Sequence, residues 1–140
     1  MRQILLFAAL AASLALLSGC ALSKAKEDKA EDMPDKAAYH KLSAEEAYEM
    51  MASQEVVVVD VRTREEYDGG HIENAVLVPN ESIDSEMPEA LPDKEATLLV
   101  YCRSGRRSKD AAEKLLALGY QSVYDFGGVI DWPYELVKEG

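Results

Sequence analysis

Cysteine, histidine and the large aromatics are all scarce, with two Cys, two His, one Trp and two Phe among 140 residues. His40 and His71 lie far apart and neither sits in a cluster with cysteine, so the clustered ligand spacing of a zinc site is missing. No glycine-rich nucleotide loop and no internal repeat is present. Basic residues are outnumbered, 15 against 26 acidic, for a net charge of −11. Nucleic-acid binding rests on Lys and Arg neutralising phosphates, so a surface of this sign argues against a nucleic-acid partner; the acidity serves solubility. No apolar run reaches the roughly 20 residues that a bilayer-spanning helix requires.

The longest apolar run does have a use. Ile4 to Leu17, interrupted only by Ser13, follows Met1-Arg2-Gln3 with its single positive charge, the layout of a signal-peptide h-region behind its n-region. It closes on Leu17-Ser18-Gly19-Cys20, which resembles the lipobox of bacterial lipoproteins. The resemblance implies a lipoprotein signal peptide over 1–19, cleavage before Cys20 and a diacylglycerol on its thiol. It also implies a chain lipid-anchored in the cell envelope, on the periplasmic face where there are two membranes. Losing Arg2 leaves 14 basic residues against 26 acidic ones. Residues 20–38 are rich in Ala, Lys, Glu and Asp without an apolar face and read as a flexible tether.

A domain over 39–140 follows. Ser43-Ala44-Glu45-Glu46 is a capping-box pattern opening a helix with Ala47, Met50 and Met51 at apolar spacing. Val56 to Val59 is a continuous β-branched run, expected of a strand buried on both faces of a parallel sheet. Thr63 to Tyr67 suits a short helix halted by Gly69-Gly70, Ala75 to Val78 a strand stopped by Pro79, and Asn80 to Leu91 a loose helix. Thr97 to Tyr101 is a strand running into Cys102. Arg107 to Leu118 has helical periodicity and Gly119 at the position that ends it. Ser122 to Phe126 is a last strand, and Gly127-Gly128 leads into an expected terminal helix containing Trp132. Strands alternating with helices predict an α/β fold, a central parallel sheet of about five strands flanked by helices on both faces. In such sheets ligands bind beyond the carboxyl ends of the strands, where Cys102 lies.

With Cys20 acylated, Cys102 has no partner in the chain. A lone thiol is ordinarily an inert core residue, but its neighbours argue otherwise. Cys102-Arg103-Ser104-Gly105-Arg106-Arg107-Ser108 joins a strand to a helix N-terminus, whose unpaired N–H groups converge on an anion. Gly105 lets the loop curl. The helix dipole and Arg103, Arg106 and Arg107 add positive potential. These conditions lower a cysteine pKa and turn the thiol into a nucleophile.

The loop resembles the active-site loop of rhodanese sulfurtransferases, six residues from Cys102 through Arg107. Upstream, Asp60-Val61-Arg62, Glu66-Tyr67, Gly70-His71-Ile72, Ala75 and Val78-Pro79 are similar to that family's N-terminal signature; downstream, Gly127-Gly128 and Trp132 resemble its C-terminal one. One departure is Asn74, where the family often has Gly; Asn tolerates positive φ better than most residues. The resemblance implies double displacement through a Cys102 persulfide without a cofactor or metal. The donor would be a small sulfur-containing anion such as thiosulfate, and the acceptor cyanide, a thiol or a thioredoxin-like protein. Backbone N–H groups from Arg103 through Ser104 and Gly105 to Arg107 would cradle the outer sulfur, with the three arginines on the oxyanions. Asp60 and Arg62 would support the loop, Glu66 and His71 would be structural, and Trp132 would sit in the core rather than wall the pocket.

Three rivals stand beside this reading. A phosphatase of the cell-division-cycle type needs five residues between cysteine and arginine, whereas four separate Cys102 from Arg107 and Ser108 follows. A non-catalytic rhodanese binding module would ordinarily lack the cysteine. A persulfide carrier between envelope proteins shares the chemistry and differs only in its partners.

Overall fold

The computed structural model describes residues 38–139. The expected signal peptide over 1–19, Cys20 and the expected tether up to residue 37 lie outside the described residues. Five strands, β1 (His40–Lys41), β2 (Val57–Asp60), β3 (Val76–Leu77), β4 (Thr97–Cys102) and β5 (Ser122–Gly128), form one sheet in the order β1-β5-β4-β2-β3. Every pairing is parallel, as alternation of strands with helices requires. β1 is the strand that hydrophobic periodicity did not mark, since two residues cannot show a period.

Among the described residues, three α-helices cover the two faces: α1 (Ala44–Ser53), α2 (Arg64–Asp68) and α3 (Arg106–Ala117). The period of two along β2 and β4 divides the core. Val59, Leu98, Val100 and Cys102 face Ala111, Ala112 and Leu115 of α3, whereas Val58, Leu99 and Tyr101 face Ala47 of α1 and Tyr67 of α2. α1 opens with the expected capping box: Ser43 Oγ accepts the Glu46 N–H at 3.1 Å and Glu46 accepts the Ser43 N–H at 2.7 Å. α2 opens with a second one, Thr63 with Glu66, so five residues hold a helix that propensity alone would not.

Two expected helices are absent. Between Asn80 and Leu91 only one 3-10 turn forms, Asn80–Ser82. Pro88 biases Met87 towards extended backbone, and Ile83 and Leu91, 3% and 2% exposed, peg this segment to the core. After β5 a single 3-10 turn, Val129–Asp131, ends in extended backbone at Trp132, the conformation that Pro133 imposes on its predecessor. The chain then runs back as an antiparallel bridge, His71 N–H to Val137 O at 2.9 Å and Val137 N–H to His71 O at 2.8 Å. Asn74 does take the left-handed conformation, φ 63°, the one non-glycine residue with positive φ among the described residues.

Candidate active site

β4 carries Cys102 to the carboxyl edge of the sheet, and four residues later α3 begins. Gly105 makes the corner at φ 100°, ψ −12°, a conformation that costs L-residues with a Cβ. The corner aims the Gly105 N–H at Cys102 Sγ, 3.0 Å away. β5 makes room for this loop. Its register runs from Thr97 opposite Ser122 to Val100 opposite Asp125, then slips so that Cys102 lies opposite Gly128. A Cβ on Gly128 would stand 2.6 Å from Ser104 Cα and collide with the Arg103 carbonyl, so only glycine lets the loop backbone lie this close.

The thiol is 1% exposed. Burial works against its ionisation, yet its pKa is lowered, because the Ser108 hydroxyl and the N–H groups of Ser108, Gly105 and Ser104 together outweigh burial. The loop backbone and α3's first turn are thus the leading source of stabilisation for a sulfur anion, a role the sequence assigned chiefly to loop, dipole and arginines together.

The three arginines differ. Arg103 and Arg106 are exposed. Arg107, expected to bind donor oxyanions, is latched: its two terminal nitrogens each donate to Glu66, both at 2.8 Å. The pair holds the Glu66 carboxyl at about 2, Arg107 and the Thr63 cap overcoming the opposing effect of burial. Glu66 therefore joins α2 to the loop helix α3, which is more than capping.

Asp60 and Arg62 form a separate buried cluster. Arg62 donates through Nε to Asp60 Oδ1 at 2.9 Å and through Nη2 to Oδ2 at 2.6 Å, and Nη2 also reaches the Gly70 carbonyl at 2.8 Å. Tyr101 donates to Asp60 at 2.7 Å and accepts the Ile72 N–H at 3.1 Å. These side chains brace the Gly70–Ile72 turn against the last residues of β4, one residue before Cys102. His71 is 5% exposed, stacked on Tyr67 at 3.6 Å with Nδ1 on the Tyr67 carbonyl. Trp132 packs against Phe126 and the core while lining a cleft of about 640 Å³ with Tyr48 and Tyr134. A smaller cleft of about 360 Å³ runs beside the loop, between Arg103, Glu66, Gly70 and the apolar Val129, Ile130 and Leu136.

Two residues that sequence reasoning passed over lie under the sulfur. Ser108 was read only as the end of the loop segment and as the residue where a phosphatase would have arginine, and Asp125 only as part of a strand. Both are 0% exposed and joined at 2.7 Å, and Asp125 also receives Tyr39 at 2.6 Å and Lys41 at 3.1 Å. An acid inside the apolar run of β5 was the available signal.

A buried thiol at the floor of a loop whose backbone N–H turns onto the sulfur, on a parallel sheet in the order β1-β5-β4-β2-β3, defines a class of protein. The rhodanese-like domain model matches residues 43–133, and the chain belongs to that family. Solved structures similar to it include a rhodanese with anions from E. coli, 35% identical, covering 61% of this chain and 100% of that one with a TM-score of 0.55. A rhodanese-like domain protein from Staphylococcus aureus is 31% identical over 72% of this chain and 99% of that one, TM-score 0.62. A human single-domain sulfurtransferase is 26% identical over 66% and 93%, TM-score 0.60. Among curated proteins, the tRNA uridine(34) hydroxylase of Yersinia pestis is 32% identical over 106 residues, 72% of this chain. The chain spans about 30% of the length of that relative.

Proposed function

We propose that the protein is a sulfurtransferase that moves sulfane sulfur from a small anionic donor such as thiosulfate to a thiophilic acceptor through a persulfide on Cys102. The carrying observation is the sulfur's setting: Gly105 N–H at 3.0 Å, Ser108 Oγ at 3.6 Å and a lowered pKa in a nearly closed site. The thiolate attacks the outer sulfur of thiosulfate, the donor's S–S bond breaks, and its electron pair leaves on sulfite. A new S–S bond joins Cys102 Sγ to the transferred sulfur, which takes the negative charge into the loop's N–H groups. Exposed Arg103 and Arg106 meet the donor's oxyanion, where guanidinium groups suit sulfonate oxygens. Attack by cyanide carbon or a thiolate on the outer sulfur then returns Cys102 as thiolate. Electrons balance without an external oxidant or reductant.

The test is thiosulfate with cyanide, read as thiocyanate. Ping-pong kinetics are expected, together with a Cys102 peptide heavier by one sulfur after donor alone. Cys102→Ser should abolish both with little change in thermal midpoint. Faster turnover of an aryl phosphate than of thiosulfate would overturn the assignment. The proposal extends to place: Cys20 carries the lipid that holds the domain at the envelope membrane.

A further inference from the structure

Ser108 and Asp125 have no part in the steps above, yet Ser108 touches the sulfur and Asp125 holds Ser108 from the far side. Ser108 Oγ stands 3.6 Å from Cys102 Sγ, 2.7 Å from Asp125 Oδ1, 3.1 Å from the Gly105 carbonyl and 3.3 Å from the Gly127 carbonyl. The last three are acceptors only, and a hydroxyl has one proton. While Cys102 is a thiol, its S–H donates to Ser108 and the Ser108 proton goes to Asp125, its shortest contact. Once the thiol proton passes to water, the sulfur becomes an acceptor as well, and one hydroxyl cannot serve both anions. Asp125 tolerates the loss of Ser108 because Gly127 N–H still holds Oδ1 at 2.8 Å, while Tyr39 and Lys41 hold Oδ2.

We propose that Ser108 is a hydroxyl rotor that sets the ionisation of Cys102, turning from Asp125 to the sulfur as the thiolate forms. Asp125, held by Tyr39 and Lys41, is the positioning residue that resists the turn. The other groups facing the sulfur are the N–H groups of Ser104, Gly105 and Ser108 and the Arg107 guanidinium, itself paired with Glu66. The rotor has a consequence for the loaded enzyme, resting on the sulfur-carrier reading. In a persulfide the charge moves to the outer sulfur, Sγ becomes a neutral divalent atom, and the hydroxyl returns to Asp125. Discharge of sulfur then calls it back, so Ser108 favours the empty thiolate as product of the second step.

The full chain in detergent, with iodoacetamide rate at Cys102 followed by peptide mass across pH, tests this. Ser108→Ala should raise the midpoint by roughly one to two pH units, the worth of one hydrogen bond to a charged group. Asp125→Asn should lower it, because a neutral amide competes less for the Ser108 proton. Tyr39→Phe, which removes one donor from Asp125 at a partly exposed position, should raise it by a few tenths of a unit to about one; this variant decides the matter if Asp125→Asn does not fold. A purely structural role for Asp125 predicts lost stability without these opposite signs. An unmoved midpoint in Ser108→Ala overturns the proposal, as does a rise in Asp125→Asn or no rise in Tyr39→Phe. Alkylation reads the thiolate whether or not thiocyanate forms, so failure of the rotor and failure of the sulfur-transfer reading are separate results.

Discussion

Gly128 shows how a single residue shapes the Cys102 loop by close approach alone. Its φ of −117° suits any amino acid, so its requirement for glycine comes from proximity alone. Gly128→Ala places a methyl group against backbone of Arg103 and Ser104, neither of which is a flexible side-chain tip. Overpacking of this kind costs roughly 1–3 kcal/mol, and here the strain falls on the loop that holds the sulfur. We expect thiocyanate formation to drop at least about tenfold (about 1.4 kcal/mol in the barrier), with a lower thermal midpoint. Gly119 is the control. Unlike Gly128 it has positive φ, 95°, and an added Cβ there meets only the Lys94 side chain, so Gly119→Ala should lower stability and spare turnover.

Between elements, the Glu66–Arg107 pair is a direct side-chain link from α2 to α3. Glu66 caps α2 through the Thr63 N–H at 3.0 Å and latches Arg107 with the same carboxylate. Its pKa falls from an ordinary 4.5 to about 2 in the folded chain, so the unfolded chain binds the proton more readily. The pair's stabilisation is then complete above about pH 4.5 and drains away as pH falls towards 2. Glu66→Gln should lose about 1 kcal/mol at neutral pH, as befits a partly exposed pair. The gap in thermal midpoint between wild type and variant should close by pH 2 to 3; a gap that persists there would mean the loss is one of packing. These elements also show where pattern reading works. The capping box at Ser43 and the valine run of β2 are local signals, and both elements formed. The helices expected over Asn80–Leu91 and around Trp132 did not, because Pro88 and Pro133 govern the backbone there and the few apolar residues answer to contacts elsewhere in the chain.

For the whole molecule, the net charge of −11 means that the anionic donor proposed above meets net repulsion, with Arg103 and Arg106 as exposed positive charges at the loop. Attachment is the other molecular-scale question. If Cys20 bears acyl chains, burial at about 0.8 kcal/mol per CH₂ holds two or three chains firmly in a membrane. Cys20→Ser should then leave a soluble or uncleaved product in fractionation, with the sulfur chemistry of Cys102 intact. A wild-type protein found wholly in the soluble fraction without detergent would end the lipid-anchor proposal.

Contiguous residues carry what is local, and much of this protein is local. The strand into Cys102, the glycine turn, the helix start and the lone thiol beside three arginines all fall between Thr97 and Leu118, so the parallel α/β fold and the place of Cys102 at a strand end before a helix were legible from the amino-acid order. Tertiary structure decided what depends on residues distant along the chain. It brought Glu66 to Arg107, 41 positions away, and so took one of the three arginines out of free anion binding. It brought Asp125 and Tyr39 together across 86 positions, and Asp125 under Ser108 across 17. No periodicity or spacing encodes such meetings, because they arise from strand order: β1 and β4 flank β5, and only that neighbourhood sets a buried carboxylate beneath the sulfur.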